Sequence, residues 1–205
     1  MFLIIDKLLG FERKLQRWYY KNYFYCSVMK NSNNTIPKKK DLIISGPITL
    51  EISSTGKIKI GDDFCIRSGV RNAIDNVPPQ SKIVVIDNAN LTIGNHVGMS
   101  NAVIHCHKQI TIGDYVKIGA GCLIMDTNFH SVDWNDRMNY ESDISNAIRK
   151  SIFIKDHAFI GARSIITKGI TIGMHSIVAT GSVVVCDIPD NEIWGGNPAK
   201  FIKTI

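Results

Sequence analysis

The chain has 205 residues, 44% hydrophobic and 20% charged, which suffices for one domain with its own core and is ordinary for a globular protein. Its formal net charge of +6 sits at one end: residues 1–40 hold nine Lys/Arg against two acids, and the other 165 hold fifteen against sixteen. A neutral body behind a basic leader, with no groove-reading motif, excludes nucleic acid as the expected partner.

The leader, MFLIIDKLLGFERKLQRWYYKNYFYC, spaces apolar residues at Ile4, Ile5, Leu8, Leu15, Trp18 and Tyr19, which predicts an amphipathic helix. Asp6, Lys7, Glu12, Arg13 and Lys14 interrupt it too early for a membrane span, and the basic start and unbroken apolar run of a signal peptide are missing. Two uses suit such a helix. It can cap the body or pack on a sister subunit, or residues 1–29 can attach to an anionic membrane surface through Lys/Arg, with Trp and Tyr at the interface. The run NSNNTIPKKK reads as a polar linker, so residues 1–40 are expected to stand apart from a body over 41–190 and a tail over 191–205.

From Leu42 to Val184 an aliphatic residue returns every sixth position, most regularly at Ile154, Ile160, Ile166, Ile172, Val178 and Val184. Ala158, Ser164, Ile170, Ser176 and Ser182 accompany them, each four places after a marker. A period of six fits neither the roughly 3.6 of a helix nor the alternation of a plain strand. It fits a solenoid whose turn is three six-residue rungs, each placing one side chain in a narrow lumen. Turns are expected near Leu42, Ile60, Ile93, Ile112, Ile154 and Ile172, at spacings of 18, 33, 19, 42 and 18. The predicted fold class is therefore all-β: a parallel β-helix of about six coils, roughly 29 Å tall, with flat sides suited to a cyclic oligomer.

The segments IGDD, IGNH, IGDY, IKDH and IGMH mark matching corners, where Gly or Asp/Asn permits a tight bend. Two excursions leave the coil. The first, about Arg71 to Val85, contains Pro78-Pro79 and is expected to be a surface loop. The second, DTNFHSVDWNDRMNYESDISNAIRKS at about 126–151, is polar and aromatic. Long insertions in a rigid repeat collect function, so chemistry is expected there. The five cysteines form no C-x-x-C pair and are odd in number; they are expected to be reduced and structural in a cytoplasmic protein.

Three segments carry a family resemblance: ITIGDYVKIGAGCLIMDTNFHS (110–131), IFIKDHAFIGARSIITKGITIGMHSIVATGSVVVCDIP (152–189) and EIWGGNPAKFIK (192–203). They resemble the hexapeptide-repeat acyltransferases, the left-handed parallel β-helix family, in particular O-acetyltransferases of the maltose, galactoside and capsular-polysaccharide type. The resemblance implies left-handed coiling, a homotrimer with sites between subunits, acetyl-CoA as co-substrate and no metal. It implies as acceptor a hydroxyl on a small molecule, a sugar or a surface-glycan precursor.

It also implies roles for residues. His130 in DTNFHS is the expected general base, since an imidazole titrating near neutral pH takes the hydroxyl proton as that oxygen attacks the thioester. Asp126 and Asn128 either orient the ring or are ordinary turn residues. Ser100 and Asn101 in GMSNAV are the oxyanion candidates. Ala162 and Thr180 match positions whose backbone bonds the pantetheine arm, and Lys200 and Lys203 match basic positions near the nucleotide phosphates. The relatives' Thr-Lys ahead of D-I-P is Val185-Cys186 here, which puts one side-chain contact to the coenzyme in doubt. Asp133, Trp134, Arg137 and Tyr140 are acceptor candidates, or alternatively loop anchors.

Rival readings are an antibiotic acetyltransferase of the streptogramin or chloramphenicol type, a zinc carbonic anhydrase and a non-catalytic solenoid. For the anhydrase, His96, His157 and His175 share one repeated corner position that is expected to be exposed. His105 and His107 could pair with His130, but the H-x-x-x-x-H spacing of that family is missing.

Overall fold

The computed structural model describes residues 2–70 and 80–205. A long helix, α1 (Phe2–Met29), precedes a three-sided coil of short parallel strands. The first coil is β1 (Ile43–Ser45), β2 (Ile48–Ile52) and β3 (Lys57–Ile60); the second is β4 (Cys65–Arg67), β5 (Ser81–Val85) and β6 (Asn90–Ile93). The third is β7 (Gly98–Ser100), β8 (Val103–Cys106) and β9 (Gln109–Ile112); the fourth is β10 (Lys117–Ile118), β11 (Leu123–Met125) and β12 (Ile152–Ile154). The fifth is β13 (Phe159–Ile160), β14 (Ile165–Ile166) and β15 (Thr171–Ile172). The sixth has β16 (Ile177–Val178) and β17 (Val183–Val184), with Ile188 bridging to Ile172 on the third side. A hairpin of β18 (Glu192–Gly196) and β19 (Ala199–Thr204) ends the chain.

Equivalent strands stack into three sheets, in the orders β1-β4-β7-β10-β13-β16-β18-β19, β2-β5-β8-β11-β14-β17 and β3-β6-β9-β12-β15. Ile60, Ile93, Ile112, Ile154 and Ile172 are register partners in one ladder, so the spacing markers are lumen residues. All five are buried, and burying each contributes roughly 1.5–3 kcal/mol. Small residues turn the lumen corners, and their polar atoms are satisfied by backbone: Ser164 Oγ donates to Ala179 O at 3.0 Å and Ser182 Oγ to the same oxygen at 2.6 Å. The extra residue between Ile93 and Ile112 is absorbed in the third coil, where β8 carries two inward residues, Ile104 and Cys106.

The first excursion is shorter than its sequence suggests. Ser81–Val85 is β5, paired with β2 and β8, and residues 71–79 lie outside the described residues. Its largely buried run, with Ser81, Ile83, Val84 and Val85 all inside, belongs to a coil side, which the neighbouring Pro78-Pro79 disguised.

Successive coils approach closely at the glycine corners. A Cβ on Gly113 would collide with the carboxylate and backbone nitrogen of Asp156 in the next coil. Gly113→Ala is expected to cost about 1–3 kcal/mol through overpacking, measured as a lower melting temperature. Two positions on, His96, Tyr115, His157 and His175 adopt left-handed φ of 57, 60, 61 and 60°; His96, Tyr115 and His157 stack, with ring centroids 4.5 and 4.9 Å apart, and His175 lies tilted 5.2 Å beyond His157. His157 and His175 are exposed and His96 half-buried, so these histidines line one outer corner of the coil.

Candidate active site

The second excursion leaves β11 through a narrow neck. Thr127 and Arg149 form an isolated antiparallel bridge, Asn128 N–H donates to Ile148 O at 3.1 Å, and Lys150 N–H donates to Asp126 O at 2.9 Å. Just inside the neck, Phe129 has φ of 64°, a left-handed conformation that is rare for a bulky residue. Its ring stands edge-on to His105 (5.3 Å, 82°) and His107 (5.2 Å, 84°), which brace it. Burial holds both imidazoles below their ordinary range, so this platform is uncharged at neutral pH.

The bent backbone at Phe129 delivers His130 to a partner that its sequence neighbourhood does not reveal. A short helix, α2 (Tyr140–Ser145), is capped by Asn139, whose side chain accepts from the N–H groups of Glu141 and Ser142. From α2, buried Asp143 places one carboxylate oxygen 2.6 Å from His130 Nδ1, and its other oxygen accepts the Ser131 N–H at 2.8 Å. The imidazole's hydrogen bond, with help from the Ser131 amide, holds the Asp143 carboxyl below the usual carboxylate range. An ionised carboxylate can only accept, which assigns the proton to Nδ1 and leaves the lone pair on Nε2. That second nitrogen has no intrachain partner among the described residues, and the side chain is 64% exposed. The ring is therefore oriented from behind and open in front.

Other positions in the insertion divide between scaffold and surface. Asp133 Oδ1 accepts from the Asn135 backbone and side chain at 2.9 and 3.1 Å. Arg137 Nη1 donates to Ser131 O at 2.7 Å and Val132 O at 2.9 Å. These bonds within the loop favour the loop-anchor alternative over the acceptor role for Asp133 and Arg137. Trp134 and Tyr140 are 64% and 80% exposed and remain available.

Asp126 is likewise a scaffold residue. It is fully buried, and its carboxylate accepts the backbone N–H groups of His107, Lys108 and Gln109 at 2.7–2.8 Å. It pins the neck to the third coil and does not orient the imidazole; Asp143 does. Asn128 is exposed and borders a cleft of about 500 Å³ whose lining includes Thr127, Phe129, Lys150, Thr167 and Lys168. The two lysines are cations beside the loop that spacing alone did not single out.

The structure brings the coenzyme candidates together. Ala162 and Thr180 turn the same corner on the fifth and sixth coils. Their flanking amides are used (Gly161 to Val178 O, Arg163 to Ala120 O, Gly181 to Ala162 O), whereas the Ala162 and Thr180 N–H groups make no backbone bond among the described residues. Two stacked open amides suit an extended amide-bearing ligand. The tail is bound to this corner through Ala179 N–H to Trp194 O at 2.7 Å and Gly196 N–H to Ser182 Oγ at 3.1 Å. In the hairpin Lys200 pairs with Gly195 and Lys203 with Ile193, two residues apart, so a bulge returns both lysines to one outer face. The oxyanion candidates fare differently. Asn101 is buried with its side-chain amide committed to Gly69, accepting from its N–H at 2.8 Å and donating to its oxygen at 3.1 Å, so that side chain is not a free donor. Ser100 lies half-buried on β7, in a different sheet from the one leading to His130.

Residues 152–186 match the family described as the hexapeptide repeat of succinyl-transferase. A solved hexapeptide-repeat containing acetyltransferase of Vibrio cholerae is 30% identical, covering 71% of this chain and 72% of that one, with a TM-score of 0.57. The same Vibrio protein has also been solved complexed with acetyl coenzyme A. Galactoside O-acetyltransferase of Escherichia coli is 33% identical over 57% of this chain and 55% of its own length. Gamma carbonic anhydrase 1 of Arabidopsis thaliana is 27% identical over 90% of this chain and 58% of its own length. The chain thus spans little more than half of these two curated relatives. Repeat, three-sheet coil and shared length agree: the chain belongs to the hexapeptide-repeat acyltransferase family and is built as its left-handed parallel β-helix.

Proposed function

We propose that this protein transfers an acetyl group from acetyl-CoA to a hydroxyl of a sugar or surface-glycan precursor, directly and without an acyl-enzyme. The observation that carries the reading is the His130–Asp143 pair at 2.6 Å with Nε2 free. Nε2 takes the acceptor's proton as its oxygen bonds to the thioester carbonyl carbon. The C–S bond then breaks, and the departing sulfur takes the proton from the imidazolium. Asp143 stabilises that cation while the ring is charged. The open amides at Ala162 and Thr180, with Lys200 and Lys203 beyond them, support an extended coenzyme along the last coils. Similarity to a galactoside O-acetyltransferase supports a hydroxyl acceptor. Exposed Val132, Trp134, Met138 and Tyr140 on the insertion support its meeting an adjoining protomer in a homotrimer.

The test is release of free CoA thiol by the purified protein with acetyl-CoA and a panel of sugar alcohols, amino sugars and antibiotics. Thiol release with hydroxyl acceptors is the expected result. Turnover confined to amines overturns O-acetylation, and turnover confined to streptogramins or chloramphenicol replaces the acceptor class. Carbon dioxide hydration with stoichiometric zinc in tag-free protein would move the chain to the anhydrase side of its relatives. Asp143 is a positioning residue, and Asp143→Asn is expected to lower kcat by up to roughly a hundredfold through misplacement of the ring. The pH–rate profile should shift as well, since an amide no longer dictates the tautomer. A merely structural Asp143 would lower the melting temperature and leave that profile in place.

A further inference from the structure

The body-facing side of α1 changes character along its length. Val28 and Phe24 are fully buried, the Phe24 ring lies 6.0 Å from that of Phe64, and Tyr20 packs against the same core. Counting back in helical steps of three and four residues, the next two positions on that side are Arg17 and Arg13. The apolar stripe thus continues as a pair of guanidinium side chains. Both line a cleft of about 280 Å³ between the helix and the corner that joins β1 to β2, with Tyr20, Ser45, Gly46 and Gly69 among its walls.

The cleft is cationic and uncompensated. None of its described lining residues is an acid. Glu12, which adjoins Arg13 in sequence, accepts from Gln16 Nε2 at 3.2 Å, and neither arginine makes an ion pair or hydrogen bond among the described residues. Like charges four apart on a helix repel, and here no carboxylate offsets them. On the coil side the wall is bare backbone. Gly46 has φ of 89°, a Cβ on it would collide with Ser68 O, and its N–H makes no hydrogen bond among the described residues. The Tyr20 hydroxyl is likewise without a partner among them. We propose that this cleft binds the phosphoryl dianion of a small soluble molecule, held between Arg13 and Arg17. Two fork-shaped guanidinium groups match its two charges and its paired oxygens. A carboxylate or a phosphodiester, with one charge, would leave one cation unmatched. The cleft is larger than a bare phosphate, which leaves room for a small attached group. It lies on the first two coils, whereas Lys200 and Lys203 lie on the hairpin at the other end of the stack.

The test is calorimetric titration of the full chain with inorganic phosphate, in chloride buffer of matched ionic strength. Saturable binding at one site per chain is expected, together with a melting temperature that rises with phosphate. Arg13→Gln and Arg17→Gln should each weaken binding roughly tenfold or more, the worth of a charge-assisted hydrogen bond. Lys14→Gln, which leaves both arginines in place, and Lys200→Gln/Lys203→Gln should bind phosphate as the parent does. In phosphate-free buffer the two arginine variants should melt at or above the parent temperature, because losing one cation relieves the repulsion. Absence of saturable binding, undiminished binding by both arginine variants, or acetate binding as tightly as phosphate overturns the proposal. Binding lost in Lys200→Gln/Lys203→Gln assigns the anion to the tail and overturns it as well. Neither acetyl-CoA nor an acceptor enters these measurements, so their outcome is independent of the acetyl-transfer reading.

Discussion

Replacing His130 with alanine is expected to lower kcat for acetyl transfer by roughly a hundred- to ten-thousandfold, the worth of a well-placed general base. Acetyl-CoA binding, measured by calorimetry, should be unchanged, because Ala162, Thr180 and the lysine-bearing tail lie on other coils. The melting temperature should also hold, since the imidazole is 64% exposed and its loss leaves Asp143 bonded to the Ser131 amide. Together these outcomes separate loss of a proton acceptor from loss of a fold. A purified His130→Ala protein turning over at more than roughly a tenth of the parent rate would remove the imidazole from the reaction, since general-base effects are seldom so small. The pairing with Asp143 makes the expected pH behaviour directional. Asp143 is held below its ordinary range, so its grip on the ring is complete above the ordinary carboxylate value of 3.8 and lost as pH falls through its lower folded value. Asp143 therefore stays ionised, and its hold on the ring intact, at mildly acidic pH.

The coil was legible because its determinant is periodic and local. Each lumen residue repeats the same demand, so an error at one rung is corrected by the next, and Ile154, Ile160 and Ile166 alone reveal the three-sided turn. The insertion has no such redundancy. His130 could be found through the DTNFHS motif, but Asp143 lies thirteen residues downstream beyond two turns of chain, and nothing in its immediate sequence distinguishes it from Asp133 or Asp136. Only the fold of the loop, with Asn139 capping α2, turns Asp143 inward. Sequence alone leaves Asp126 between two roles for the complementary reason. Proximity in sequence suggested contact with His130, yet β11 delivers its side chain to the turn at His107–Gln109. Lys200 and Lys203 stand three apart on an extended strand, which alone would point them to opposite faces; the bulge that reunites them is a tertiary feature. The stripe on α1 was visible as amphipathicity, but which apolar side chains face the body required the buried positions of Phe24 and Val28.

Asp126→Ala is expected to produce the largest loss of stability of any single change in the insertion. The carboxylate accepts three backbone N–H groups at 2.7–2.8 Å from a fully buried position. Each orphaned donor costs about 1–3 kcal/mol, and entry of water at the neck keeps the total to roughly 3–5 kcal/mol. For a domain of this size that corresponds to a melting temperature lower by roughly 6–20 °C. Activity should fall too, but as a consequence. The Asp126–Lys150 link and the Thr127–Arg149 bridge close the insertion, so loosening the turn at 107–109 frees the platform of His105 and His107 on which Phe129 rests. Asp126→Asn, which keeps one acceptor oxygen, should fall between alanine and the parent on both measures. The alternative role makes the opposite forecast: a carboxylate that orients the catalytic ring would, when removed, depress kcat at an unchanged melting temperature. That pattern in Asp126→Ala would return the orienting role to Asp126 and reduce Asp143 to a loop anchor, so one pair of measurements on one variant decides which acid serves the base.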